Sequence, residues 1–391
     1  MRIRLTTRNR LLHHIYRRWL LFLVIVLIGV FVFFVIDGVQ LFHSMLGVPT
    51  KIMLPEYAED MHIKPLQPEV TSDFPGTFTN NPIIPQILHQ TWKTNCLTDD
   101  MAKYIKTFAD WNPRWRYYFW TDETGRDLIA KRHPALLKVW DNVSKGVQRG
   151  DILRYVVLYE FGGMYTDLDV QFLRNLDQLT YKYSCIVSPE PFEHSAFLYK
   201  LPFVINNAIL LCKPKHPFFK KLLDSLQEAV NAKDVMDSTG PRYVTNIFQK
   251  YTGINYQSVE RDDNDISKSE PYFYNTLIPE TDPEHVYVPN SHYLMDEINR
   301  NDKSLPRHIQ TICNDLKNSE MLFQRGCVEV AQKGLHRKNT NFAFTRHEWI
   351  HTWLHPLEFK NLWRQVSACQ PIDKIISDRY MYNWELDAMA Q

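Results

Sequence analysis

Two aspartates one residue apart, Asp167 and Asp169, close the stretch RGDILRYVVLYEFGGMYTDLDV (149–170). Carboxylates this close repel unless a cation sits between or beside them, and their hard oxygens suit a divalent ion. Such an ion can bridge to a diphosphate and neutralise charge as that group leaves. Upstream in the same stretch, Asp151 and Arg154 share one face of a helix. The bland reading of that pair is a helix-surface ion pair worth under about 1 kcal/mol. The planar fork of Arg154 could also grip a phosphate. A second pattern competes. RHEWIHTW (346–353) contains His347-Glu348-Trp349-Ile350-His351. On a helix this would set two imidazoles on one face for zinc, with Glu348 as general base of a metalloprotease. Its surroundings argue against that chemistry. No metzincin extension H-E-x-x-H-x-x-G-x-x-H exists here, since Pro356 and Leu357 follow His355, and acidic third-ligand candidates are few (Glu358 and Glu385).

The elements that must hold these groups are legible in outline. Asp151 suits the start of a helix, Ile152, Tyr155, Val156 and Tyr159 recur at helical spacing, and Gly162-Gly163 supplies the stop. Met164 to Val170 alternates as a strand, which would point Asp167 and Asp169 the same way and Leu168 the other. Before it come a strand candidate over Ile83–Trp92, a helix near Met101–Ala109 and an aromatic strand over Trp115–Trp120. A helix capped by Asp122 follows, and Pro134 interrupts it. Strands alternating with helices argue for an α/β fold with a mostly parallel sheet. His89, inside the first strand, reads as a satisfied core histidine.

Ahead of this region, Arg2, Arg4, Arg8, Arg10, Arg17 and Arg18 precede an uncharged run, WLLFLVIVLIGVFVFFVI (19–36). Eighteen residues at a helical rise span about 27 Å, close to the hydrocarbon thickness of a bilayer. The flanking arginines predict a cytoplasmic N-terminus and a chain that lies otherwise outside the cytosol. The expected organisation is a cytoplasmic tail (1–18), a transmembrane signal anchor (19–36), a proline-bearing lumenal stem (37–82) and a catalytic domain (83–391). Apolar content of 45% makes the chain globular, and a net charge of +1 points away from a nucleic-acid partner. All six cysteines follow the span, so some should pair in an oxidising lumen, Cys313 with Cys327 by proximity. Asn142-Val143-Ser144 is a glycosylation sequon.

Taken together, IPQILHQTWK, WNPRWRYYFWTD (111–122), the 149–170 stretch, NNAILLCKPKHPFF (206–219), STGP (238–241) and RHEWIHTW make the sequence resemble glycosyltransferase family 32. That family holds DXD-containing sugar transferases, including Och1-like and inositol phosphoceramide mannosyltransferases. The resemblance implies a GT-A type nucleotide-diphospho-sugar transferase fold, anomeric retention and a divalent metal, usually manganese. The implied donor is a nucleotide sugar, GDP-mannose or a UDP-hexose, and the implied acceptor a glycan or glycolipid hydroxyl. A single-pass type II Golgi membrane enzyme is expected. The alternatives are a UDP-sugar galactosyl- or N-acetylglucosaminyltransferase of the same family and a catalytically silent subunit of a transferase complex.

The resemblance also assigns residues. Asp169 would contact the metal directly, and Asp167 the ribose or the metal through water. Asp151 and Arg154 match a helix pair that holds the donor sugar. Trp92 matches an aromatic that stacks on the base, against a reading as a core tryptophan. Tyr165 could contact the nucleotide or simply pack. Asn206 and Asn207 occupy a position near the transferred sugar, or form a turn. Ser238 to Pro241 should form a loop leading into a helix, lining the acceptor cleft. His347, Trp349 and Trp353 match a C-terminal segment whose histidine completes the metal shell, with His351 left open as the ligand.

Overall fold

The computed structural model describes residues 80–254, 282–299, 304–334, 343–350 and 369–376, with isolated positions at 19–21, 23–24, 73–74, 76–77 and 302. Most of the expected span and stem, together with His351 and Trp353, lie outside the described residues. No described helix is long and apolar enough to cross a membrane. Met1–Pro49 and Thr50–Gln391 form separate units, and every element below belongs to the second.

Its strands are β1 (Ile87–Thr91), β2 (Cys96–Leu97), β3 (Arg116–Trp120), β4 (Gly163–Thr166), β5 (Val170–Phe172), β6 (Cys185–Pro189), β7 (Ile205–Cys212), β8 (Thr345–His347) and β9 (Gln370–Pro371). Five of them form a central sheet in the order β3-β1-β4-β7-β6. β1 runs parallel to β3 and β4, whereas β7 runs antiparallel to β4 and β6. Four strands therefore point one way and β7 alone runs against them. The expected mostly parallel α/β architecture is met in this form. Antiparallel pairs β5·β8 and β2·β9 lie outside the sheet.

The main helices are α1 (Asp99–Trp111), α2 (Asp122–Arg132), α3 (Pro134–Asn142), α4 (Gly146–Phe161), α5 (Pro217–Ala229), α6 (Pro241–Thr252), α7 (Leu305–Asn314) and α8 (Met321–Lys333). Alternation along the strands divides the core in two. Ile87, Tyr165 and Leu210 face a cluster with residues of α2 to α6, whereas Leu88, Met164 and Leu211 face a cluster with α1, Phe344 and Trp349. Phe74, from the segment expected as stem, is 1% exposed in the second cluster. The packed core thus includes at least that part of the segment.

Local expectations needed correction at several points. Asp122 is the first residue of α2, and Thr121 is its cap, in a reciprocal box with Thr124. Asp151 does not start a helix, because α4 begins at Gly146 and Asp151 sits inside it. Asn206 and Asn207 form no turn, being part of β7. The glycine stop is real. Gly162 has φ 64° and Gly163 φ 96°, and a Cβ on Gly163 would lie 2.6 Å from the Ile87 carbonyl oxygen, so only glycine lets β4 approach β1 there.

Three disulfides join Cys96–Cys369, Cys185–Cys212 and Cys313–Cys327. The last, across a separation of 14 residues, staples α7 to α8 as proximity suggested. Chain-entropy reasoning gives such a loop about 3 kcal/mol. Cys313→Ser is therefore expected to lower the unfolding free energy by about that amount in denaturant titrations run without reductant.

Candidate active site

The site forms where β4 ends. The DXD residues do not continue that strand. Asp167 still bonds across to β7, its amide donating to the Ala208 carbonyl at 2.9 Å, and then the chain turns, the Val170 amide reaching back to the Asp167 carbonyl at 3.3 Å. β5 resumes beyond the turn with a different partner, β8. The expected unbroken strand from Met164 to Val170 is thus a strand, a turn and a second strand. The turn buries Leu168 at 5% exposure and leaves the carboxylates convergent.

The β5·β8 pairing explains the third member. Val170 lies opposite His347 in the register, so the histidine stands beside Asp169 although the two are far apart in sequence. His347 Nε2 is 3.3 Å from Asp169 Oδ1. The Glu348 amide donates to the Asp169 carbonyl and the Ile350 amide to Asp169 Oδ2, both at 2.9 Å. Trp349 between them takes φ 53°, a left-handed conformation rare for a bulky residue. His347 therefore sits on a strand, and residues 348–350 are not helical. The metalloprotease reading, which needs His347 and His351 on one helix face, fails on this geometry.

One ligand atom from each of Asp167, Asp169 and His347 lies within 4.8 Å of the others. The set fits a divalent ion on two further observations. His347 Nδ1 is buried with no hydrogen-bond partner among the described residues, so one nitrogen of the ring is unused and the other is tied only to Asp169. Three carboxylates, Asp151, Asp167 and Asp169, stand against the one guanidinium of Arg154. Two carboxylates and an imidazole suit manganese better than magnesium.

A polar network lies beside this triad. Asp151 and Arg154 are 2% and 4% exposed, which overturns their reading as a helix-surface ion pair. Arg154 Nη2 lies 3.1 Å from both Asp151 Oδ1 and Asp167 Oδ1, and Nη1 donates to the Asn207 carbonyl at 2.5 Å. Nε reaches the Gly150 carbonyl at 3.4 Å, and the guanidinium lies 4.6 Å from the Tyr165 ring centre. All three guanidinium nitrogens thus have protein partners. Asp151 accepts from Asn207 Nδ2 at 2.9 Å and from Thr239 Oγ1 at 2.7 Å. Tyr155 donates to the Thr239 carbonyl at 2.5 Å, which ties STGP to the site. Tyr165 donates to Asp167 Oδ1 at 3.1 Å.

Alternation separates the two asparagines of β7. Asn207 enters this network, while Asn206 donates to Glu190 Oε1 at 3.0 Å. Trp92 follows β1 directly and is half-buried against the second core cluster. That leaves part of its surface accessible, and both readings of it stay compatible with the packing. His89 is fully buried between the Gly162 carbonyl at 2.9 Å and Trp120 Nε1 at 3.2 Å, and burial pushes its pKa down to about 3. It is the core histidine expected.

Burial sets the direction for the two aspartates. It pushes Asp151 up to about 6 despite the adjacent Arg154. It raises Asp167 likewise, against the pull of Arg154. Burial would lower His347, but Asp169, Asp167 and Glu190 together outweigh it and the net shift is upward.

Residues 98–186 match the family described as the glycosyltransferase sugar-binding region containing the DXD motif. The matched sugar-binding region runs from Thr98 past both aspartates to Ile186, so α4, β4 and the DXD turn lie inside it. Inositol phosphoceramide mannosyltransferase 2 of Schizosaccharomyces pombe is 32% identical over 191 residues, which cover 47% of this chain and 52% of that protein. Mannosyl phosphorylinositol ceramide synthase SUR1 of Saccharomyces cerevisiae is 33% identical over 175 residues, 43% of each chain. The initiation-specific alpha-1,6-mannosyltransferase of Candida albicans is 28% identical over 120 residues, 29% of this chain and 31% of that one. The chain thus spans about half the length, or less, of these curated relatives.

The sequence suggested no site role for Glu190, His194 or Tyr155. The first two stand four apart in PEPFEH, a spacing that brings side chains together on one helical turn.

The raised pKa of Asp151 sets a sign for stability. A carboxylate whose folded pKa lies above its unfolded value stabilises the fold when protonated, and that contribution is lost as pH rises through the folded value, here about 6. At pH 7.5 Asp151 is therefore a net cost. Asp151→Asn is expected to melt no lower than wild type at pH 7.5 and to lose its advantage near pH 4, as scanning calorimetry at the two pH values would show.

Proposed function

We propose that this chain is a metal-dependent mannosyltransferase of GT-A type that moves mannose from GDP-mannose to a hydroxyl of an inositol-phosphate sphingolipid, with retention. The observation that carries this reading is the convergence of Asp167, Asp169 and His347 beside the buried Asp151–Arg154–Asn207 network. The relatives' names supply the sugar and the lipid. The arginine-flanked apolar run supports a type II anchor, and with the relatives it supports Golgi residence.

In this reading Asp167, Asp169 and His347 hold a manganese ion. When bound, the ion supplies positive charge against the diphosphate as it departs. The protein's own part is positioning. Arg154 would fix Asp167 within the metal-binding set and hold Asp151 and Asn207 for the donor sugar, with one Nη1 N–H left for a phosphate. Tyr165 holds Asp167 from the other side, and burial keeps its hydroxyl protonated as a donor. The half-buried Trp92 offers a face to the base, where stacking is worth roughly 1–3 kcal/mol. No carboxylate here is assigned as a covalent nucleophile.

The test is a donor and acceptor screen with the full chain in detergent, supplied with manganese. Transfer to inositol phosphoceramide from GDP-mannose, and from no UDP-sugar, is the expected result. Transfer from a UDP-hexose alone would move the assignment to the galactosyl or N-acetylglucosaminyl branch. Consumption of no nucleotide sugar would favour a silent subunit.

A further inference from the structure

Near the metal ligands stands a second, buried polar group with no role so far. β6 ends at Pro189 and the chain enters a tight helical turn over 192–194, continued by a π-turn over 195–199. π-turns recur at functional sites because they re-aim side chains. Here Glu190 and His194 are 3% and 2% exposed. His194 Nδ1 lies 2.5 Å from Glu190 Oε2, while Glu190 Oε1 accepts from Asn206 Nδ2 at 3.0 Å and from the Tyr199 hydroxyl at 3.4 Å. The carboxylate is held from both sides and in turn fixes the imidazole.

With Nδ1 engaged by Glu190, the ring of His194 presents Nε2 for a further contact. That Nε2 is buried and has no hydrogen-bond partner among the described residues, and neither does the hydroxyl of the next residue, Ser195. A purely structural pair would satisfy both nitrogens, since buried polar atoms almost always find partners. The location narrows what the missing partner is. The His194 ring lies 4.4 Å from the indole of Trp349, and the same indole lies 4.4 Å from His347, a member of the metal triad. The Glu190 charge is among those acting on His347. Asn206, which holds Glu190, is the chain neighbour of Asn207 in the donor network. The pair therefore stands one indole ring beyond the donor side.

We propose that His194, oriented by Glu190, binds a hydroxyl of the sugar acceptor through its Nε2. This rests on the transferase reading and adds the acceptor side to it. His194 would touch the acceptor, whereas Glu190 is a positioning residue.

The experiment compares wild type, His194→Ala and Glu190→Gln as full chains, with manganese and GDP-mannose. It follows mannose released to water and mannose transferred to inositol phosphoceramide in mixed micelles. His194→Ala is expected to lower the ratio of transfer to hydrolysis roughly 10-fold or more, the scale of one hydrogen bond lost at a buried group. Glu190→Gln should lower it less and raise the KM for the acceptor more than that for GDP-mannose. Should His194→Ala fail to fold by thermal denaturation, Glu190→Gln carries the comparison, since it alters one atom. A ratio unchanged in both variants, or transfer and hydrolysis falling in step, would overturn the assignment. A wild type that consumes no nucleotide sugar would instead overturn the transferase reading itself.

Discussion

Asp169→Ala is expected to lower GDP-mannose turnover roughly 1000-fold or more, because a metal contributes several kcal/mol of charge stabilisation and each factor of ten needs about 1.4 kcal/mol. The effect should exceed that of any aromatic substitution in the cleft. Asp169 does three things at once. Its Oδ1 faces His347 Nε2 at 3.3 Å, its Oδ2 accepts the Ile350 amide, and its carbonyl accepts the Glu348 amide. Of these three the variant retains only the carbonyl contact, so the segment carrying His347 loses two of its three contacts with Asp169. Steady-state kinetics over a manganese series checks this. Activity recovered at high manganese would mean weakened binding, and activity unchanged at all concentrations would remove Asp169 from the metal site.

The second large effect concerns Arg154. Arg154→Met is expected to cost about 3–5 kcal/mol of stability, the scale for stripping a partner from buried charge. The guanidinium is 4% exposed and is the cation shared by Asp151 and Asp167, so its removal leaves the buried Asp151 without its cation and facing the partly exposed Asp167. Adding Asp151→Asn to Arg154→Met should recover part of the loss, giving a non-additive double-mutant cycle in urea denaturation. Additive losses would show that the arginine acts mainly through packing against Tyr165. Arg154→Lys should also fail functionally, since one ammonium cannot span Asn207, Asp151 and Asp167 together.

Much of this was legible in the sequence where local rules and tertiary structure agree. Gly162-Gly163 announced the end of α4 because only glycine tolerates both the positive φ and the approach to Ile87. The pairing of Cys313 with Cys327 followed from proximity, and the apolar run after Asn207 became β7. The site was legible as a set of residue types and by resemblance, but its geometry was not. Alternation predicted one strand through Asp169, whereas the chain turns at the DXD so that β4 and β5 can pair with different partners. Nothing local marks that change. Asp151 reads as a helix-start residue by type, yet it lies within α4, tolerated in a buried interior only because Arg154, Asn207 and Thr239 satisfy it. The H-E-x-x-H match failed for the related reason that β-pairing with Val170, not helical periodicity, places His347. Glu190 and His194 escaped notice because a glutamate and a histidine in a short apolar segment look ordinary until burial leaves one nitrogen unpartnered.

The most direct single measurement is manganese binding to the full chain in the presence of GDP, followed by the electron paramagnetic resonance of free Mn2+, for wild type and His347→Ala. A metal centre assembled from the DXD turn and β8 predicts one bound ion in wild type and an affinity lower by at least roughly tenfold in the variant. Equal affinity in the two proteins, or no binding in wild type, would contradict it.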